Sequence, residues 1–107
     1  MLINMNGKDY KLSTGVTVLH RYEMEFGEKL LEVIAPFIEN NENTTVVNYD
    51  INGIYKILFC MFTEGGNDEY AGDYLGFLRF LGDEPPTVDY LTENVISKYI
   101  FSLFSKQ

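Results

Sequence analysis

The chain has 107 residues and a formal net charge of −8, from 16 acidic and 8 basic side chains. That length suits one domain, and that charge argues against binding phosphate backbones or anionic membrane surfaces. With 46% hydrophobic and 15% aromatic residues, a packed core is expected and wholesale disorder is not.

The opening, MLINMNGKDYKL, sets Asn6-Gly7 between two short alternating runs. Asn and Gly tolerate positive φ, which a two-residue type I′ turn demands at both central positions. That turn puts Met5 opposite Lys8, Ile3 opposite Tyr10 and Met1 opposite Leu12. One face then carries Met1, Ile3, Met5, Tyr10 and Leu12; the other carries Leu2, Asn4, Asp9 and Lys11. A slip of one residue scatters the apolar set. A hairpin over 2–12 is predicted, with its apolar face packed on the rest of the chain, because an isolated hairpin is marginal in water.

Ser13 or Thr14 is placed to cap a helix over about 15–26. Val16, Leu19, Tyr22, Glu23 and Phe26 recur there at helical spacing, and Gly27 suits a left-handed stop. A second helix is predicted over about 28–39, with Leu30, Leu31, Ile34, Phe37 and Ile38 on one side. Pro36 lacks the N–H that bonds four residues back, so it should kink or divide that helix near Ala35. The polar run at 39–45 reads as a loop, and its sequon at Asn43 carries no weight without secretion.

The stretch TTVVNYDINGIYKILF holds a second Asn-Gly at 52–53 and supports two readings. One is another hairpin. The other is a helix over about 49–63, capped by Asn48, with Ile51, Ile54, Tyr55, Leu58 and Phe62 on one face. The stripe is longer than an ordinary strand, so helix is favoured, although Gly53 costs about 1 kcal/mol against Ala inside one. An acidic connector follows at 64–74, then a short helix over 73–81 and a stiff loop at 82–87. Thr87 is a good cap for a last helix over about 88–104, whose wide stripe runs from Val88 through Leu91, Val95 and Tyr99 to Phe104. The fold class expected is α+β, mainly α: an N-terminal β-hairpin followed by four to five helices in one small domain over 1–107.

Sites for chemistry are sparse. His20 and Cys60 are single representatives of their types and cannot make a zinc site or, without help from the fold, a nucleophile and base. Cys60 lies in the apolar run ILFCMF and reads as an inert core thiol that forms no internal disulfide. Asp50-Ile51-Asn52-Gly53 has the wrong spacing for a calcium loop, and Asp68, Glu69 and Asp73 read as a solvated acidic loop before a cation site. No phosphate-binding glycine loop is present. Tyr70, Tyr74, Phe77 and Phe80 fit a packed core better than a sticky patch. No catalytic residue, cofactor or metal is therefore expected. The N-terminus has no signal-peptide pattern, and ILFCMF is too short to span a bilayer, so a cytoplasmic location is expected.

The run INGKDYKLSTGVTVLHRYEMEFGEKLLE (INMNGKDYKL in full at its start) resembles the opening of tail assembly chaperones from long-tailed phages of Gram-positive bacteria. That family begins with a strand, the pattern NGK-x-Y-x-L, a second strand, and a helix ending in an acidic, aromatic and glycine cluster. Asn6, Gly7, Lys8, Tyr10, Leu12, Leu19, Glu25, Phe26 and Gly27 carry the likeness. The layout of later helices is similar, but the tyrosine-rich stretch at 68–77 and Pro36 have no counterpart. The resemblance implies a non-catalytic protein of the host cytoplasm, absent from the finished virion. It would bind and solubilise the tape measure protein and help recruit tail-tube subunits. Nucleic acid and membranes are not expected as partners; homo-oligomers stay open. The aromatic group Tyr99, Phe101 and Phe104 is too apolar for a monomer's exterior and is the expected interaction surface. The alternative is a small acidic inhibitor or decoy that occupies a nucleic-acid site on a host protein. A small enzyme centred on His20 ranks third.

Overall fold

The computed structural model describes residues 1–39, 51–67 and 72–104, with the side chains of 36–39 and 104 outside that description. Strands β1 (Leu2–Met5) and β2 (Lys8–Lys11) pair antiparallel in the predicted register, Ile3 opposite Tyr10 and Met5 opposite Lys8. Asn6 (φ 56°) and Gly7 (φ 78°) both lie in the left-handed region, which makes the turn type I′. Ile3, Met5, Tyr10 and Leu12 are buried, and Leu2, Asn4, Asp9 and Lys11 are exposed.

The ladder also fixes which backbone groups face outward. The Leu12 N–H donates to the Met1 carbonyl at 2.7 Å, so the bonded pairs are 1–12, 3–10 and 5–8. Leu2 and Asn4 on β1, and Asp9 and Lys11 on β2, therefore point their N–H and C=O groups away from the partner strand. The β2 side is covered at its end. Asn67 Nδ2 donates to the Lys11 carbonyl at 2.7 Å. Gly65 lies so close that a Cβ there would sit 2.1 Å from the same oxygen. Among the described residues, the backbone groups of Leu2 and Asn4 receive no such cover.

The helices are α1 (Val16–Phe26), α2 (Leu30–Glu39), α3 (Ile51–Phe62), α4 (Tyr74–Leu81) and the last helix, α5, which runs as Val88–Leu91 and Ser97–Phe104 with a π-turn, Thr92–Ile96, between them. Helix α3 is the centre of the core. Ile54, Ile57, Leu58, Phe59, Cys60, Met61 and Phe62 are all buried, a run that only a fully enclosed helix carries. Each such side chain removed from water contributes roughly 1.5–3 kcal/mol. Asn52-Gly53 lies inside this helix, so the helical reading holds over the hairpin. The helix leaves its axis in the turn Thr63–Asn67, where Gly66 has φ 95°.

The C-terminal end of α3 is where the hairpin docks. The Ser13 N–H donates to the Met61 carbonyl at 3.0 Å, and Asn67 Nδ2 also donates to the Phe62 carbonyl at 3.0 Å. Carbonyls that a helix end leaves orphaned are thus satisfied by the strand exit and the following turn. A line of rings continues the joint: Tyr10 meets Phe62 at 5.4 Å, Phe62 meets Phe77 at 5.1 Å, Phe77 meets Phe59 at 5.5 Å, and Phe59 meets Tyr74 at 5.6 Å. Hairpin and helices share one hydrophobic core.

Several local expectations need correcting. Gly15, not Ser13 or Thr14, is the residue before α1, and Ser13 Oγ instead accepts the Gly15 N–H at 3.1 Å. Val16 is 74% exposed and Val18 is buried in its place. Two residues along a helix are about 200° apart, so both cannot face inward. Gly27 (φ 68°) does stop α1, its N–H donating to the Glu23 carbonyl at 3.0 Å. Helix α2 starts at Leu30, is not divided at Pro36, and leaves Leu31 exposed while Leu30 and Ile34 are buried. Asp73 caps α4 by accepting the Gly76 N–H at 2.7 Å, and Thr87 caps α5 by accepting the Tyr90 N–H at 3.1 Å. Of the loop predicted at 39–45, Glu39 is the last residue of α2 and 40–45 lie outside the described residues, as do Asn48 as a cap, and Asp68, Glu69 and Tyr70.

Candidate protein-interaction surface

The predicted aromatic group on α5 separates. Tyr99 is fully buried and belongs to the core, so it is withdrawn from the interaction surface. Phe101, two positions on, is 71% exposed. The side chain of Phe104 lies outside the described residues. The π-turn lies within the apolar stripe of α5, and Leu91, Val95, Ile96 and Tyr99 all come to the buried side. Ser97 Oγ donates to the Glu93 carbonyl at 2.7 Å across the same turn. Burial raises the Tyr99 hydroxyl above its ordinary pKa. Among the described residues the Tyr99 hydroxyl and the Thr63 and Thr92 hydroxyls are buried without a hydrogen-bond partner.

Among the described residues His20 and Cys60 lie on different helices. His20 is exposed on α1. Cys60 is buried in α3, and desolvation pushes its thiol up to about 12, which leaves almost no thiolate at neutral pH. Among the described residues no group of three or more His, Cys, Asp or Glu is arranged to hold a metal ion. No helix among them is long and apolar enough to cross a membrane. The charged contacts are structural ties. The Arg21 guanidinium donates from Nε to Glu64 Oε2, joining α1 to the exit of α3, and Arg21 also lies 3.8 Å from Glu25. The bond from Arg21 holds the Glu64 carboxyl below its ordinary pKa, aided by a hydrogen bond from Thr17. The Tyr22 hydroxyl donates to Glu28 at 2.8 Å, and Lys56 lies 3.5 Å from the same carboxylate and 5.0 Å from the centre of the Phe26 ring.

Among the described residues the surface offers instead apolar side chains and a cleft. Leu2, Val16, Met24, Leu75, Tyr90 and Phe101 are exposed on four different elements. Sequence reasoning placed Leu2 on the outer face of the hairpin and Phe101 in the expected surface, and missed the other four. The signal available for Met24 was negative, since it sits off the stripe of its own helix. The cleft, about 420 Å³, opens between the end of β1 and the loop before α5. Asn4, Met5 and Asn6 form one wall; Glu84, Pro85, Pro86 and Thr87 form the other, with Leu81 and Tyr90 completing it. Two long-range bonds position these walls. Asn6 Nδ2 donates to the Phe80 carbonyl at 3.0 Å, and the Tyr55 hydroxyl donates to the Pro86 carbonyl at 2.6 Å.

No family model, curated protein or solved structure matches this chain.

Proposed function

We propose that the chain is a non-catalytic tail assembly chaperone of a long-tailed phage, acting in the host cytoplasm on the tape measure protein and tail-tube subunits. One observation supports it most. The residues that carry the resemblance are those that build the opening of the fold: Asn6 and Gly7 make the turn, Tyr10 and Leu12 bury into the core, and Gly27 stops α1. A pattern made of turn, core and stop residues encodes a layout, so a shared pattern is grounds for a shared layout. Exposed apolar side chains on a strongly acidic surface fit a protein that shields apolar stretches of a partner while staying dispersed itself. Several copies along one long partner would gain avidity from weak single contacts.

Co-expression tests it. The chain is produced together with a fragment of the tape measure protein encoded beside it, and the soluble fraction is assayed for both. Soluble, co-purifying tape measure is the expected result, weakened by Phe101→Asp. A tape measure fragment equally insoluble with and without the chain would overturn the assignment. So would a gene neighbourhood without a major tail protein on one side and a very long reading frame on the other.

A further inference from the structure

We propose that the outer edge of β1 takes up an extended, cationic segment of a partner protein as a third strand, seated in the cleft between β1 and the loop at 84–87. The backbone supplies the first half of the case. Leu2 and Asn4 turn their N–H and C=O groups outward, and two residues of that kind offer up to about four hydrogen bonds to an incoming strand. The two edges of the hairpin are treated differently. The β2 edge is closed at Lys11 by Asn67 and by the backbone of Gly65, and the β1 edge has no equivalent among the described residues. Strand β1, LINM, also lacks the charged side chains and prolines that usually guard a free edge, and Leu2 stands 66% exposed on it.

The cleft supplies the second half. It lies beside Asn4 and Asn6, where a third strand would run about 4.8 Å from β1. Its far wall is apolar at Pro85, Pro86 and Tyr90 and carries one charge, Glu84, with Asp83 beside it. An incoming strand that places a Lys or Arg against Glu84 and apolar side chains against the prolines matches that wall. A second copy of this chain matches it poorly. Two chains of net charge −8 repel, and a copy's own LINM brings no cation to Glu84. The inference does not rest on the tail-assembly assignment, since any partner with such a segment qualifies.

The test uses the full chain and a panel of fluorescein-labelled heptapeptides that alternate Val, Ile or Tyr with Lys or Thr, followed by fluorescence anisotropy. At least one member is expected to bind. Methylating its alternate amide nitrogens, which removes the donors to β1, should weaken binding ten-fold or more. Asn4→Pro, which removes an outward N–H that the hairpin itself does not use, should do the same. Glu84→Lys should weaken the lysine peptides three- to ten-fold and strengthen glutamate-for-lysine versions. Circular dichroism confirms that each variant keeps its fold, and the methylated peptides test the edge with the chain unaltered. No binding by any member up to about 1 mM overturns the proposal. So does binding unchanged by methylation and by Asn4→Pro, which would put the peptide elsewhere. A sedimentation dimer of the chain alone that Asn4→Pro abolishes assigns the edge to a second copy and equally overturns it.

Discussion

Asn6-Gly7 and Asn52-Gly53 are one dipeptide in two settings. At the first, both residues take positive φ, 56° and 78°, and the chain reverses. At the second, the backbone stays helical inside α3 and Gly53 is buried. The dipeptide permits a turn; its neighbours decide whether one forms. Around Asn6-Gly7 the buried residues are Ile3, Met5, Tyr10 and Leu12, spaced by two. After Asn52-Gly53 they follow at Ile54, Ile57, Leu58 and onward, at helical spacing and then continuously. The two asparagine side chains nonetheless serve the same element. Asn6 donates to the Phe80 carbonyl near the C-terminal end of α4, and Asn52 Oδ1 accepts the Tyr74 hydroxyl at its first residue, at 2.7 Å. Helix α4 is held at one end by the turn and at the other by the central helix.

The comparison breaks hardest where the two regions meet, at the end of α3 against β2. Gly65→Ala forces a Cβ into the Lys11 carbonyl oxygen, a backbone atom that cannot step aside. A loss of about 3 kcal/mol or more in urea unfolding is expected. Gly66→Ala is the control. Its φ of 95° disfavours any side chain, yet a Cβ there meets nothing within 4 Å, so the cost should stay near 1–2 kcal/mol. Equal losses for the two variants would mean that hairpin and helix are not in fixed register.

The turn, its register and the central helix were legible because each rests on a local period that agrees with a local residue preference. What was not legible depends on residues far apart in the chain. That Lys11 is covered while Leu2 and Asn4 are not follows from Gly65 and Asn67, more than 50 positions on. That Val18 rather than Val16 turns inward depends on what α1 packs against, because both are apolar and either begins a plausible stripe. Tyr99 illustrates a third kind of limit. The stripe on α5 is wide enough to include it, its aromatic neighbours suggested an outer patch, and it stands in the core with Leu91 and Val95. Of the expected surface, Phe101 stands exposed, and the cleft beside β1 had no sequence signal, since its walls come from both ends of the chain.

Asn6→Ala against Asn52→Ala measures the same contrast within one residue type. Replacing Asn6 loses a residue that tolerates positive φ and a bond to the end of α4, for about 2 kcal/mol together. Replacing Asn52 loses the exposed bond to Tyr74 but puts the best helix former into a helix, a gain of about 0.6 kcal/mol. The net change should lie within about 0.5 kcal/mol. The denaturant midpoint at unchanged slope reports both. Similar midpoint shifts for the two would mean that the turn imposes no backbone demand of its own.

The smallest effect separates the regions by charge. Glu64, just past α3, accepts from Arg21 and Thr17, and its folded pKa is lowered chiefly by the Arg21 bond. A lowered carboxylate contributes stability that is fully present above its ordinary unfolded value, near 4.5, and is lost as pH falls through the folded value. The pair is partly solvent-exposed, so its worth is about 0.5–1 kcal/mol rather than that of a buried ion pair. Glu64→Gln should therefore be less stable than the parent by about that amount at pH 7, and the two stability curves should converge as pH falls below 4.5 and through the lowered folded value. The bond that Asn6 makes is between an amide and a carbonyl, so the deficit of Asn6→Ala should keep the same size across that range. A Glu64→Gln deficit that does not shrink on acidification would mean the loss comes from packing at the turn rather than from the carboxylate. An Asn6→Ala deficit that does shrink would link the hairpin turn to a titrating group, and the two regions would no longer be separable by pH.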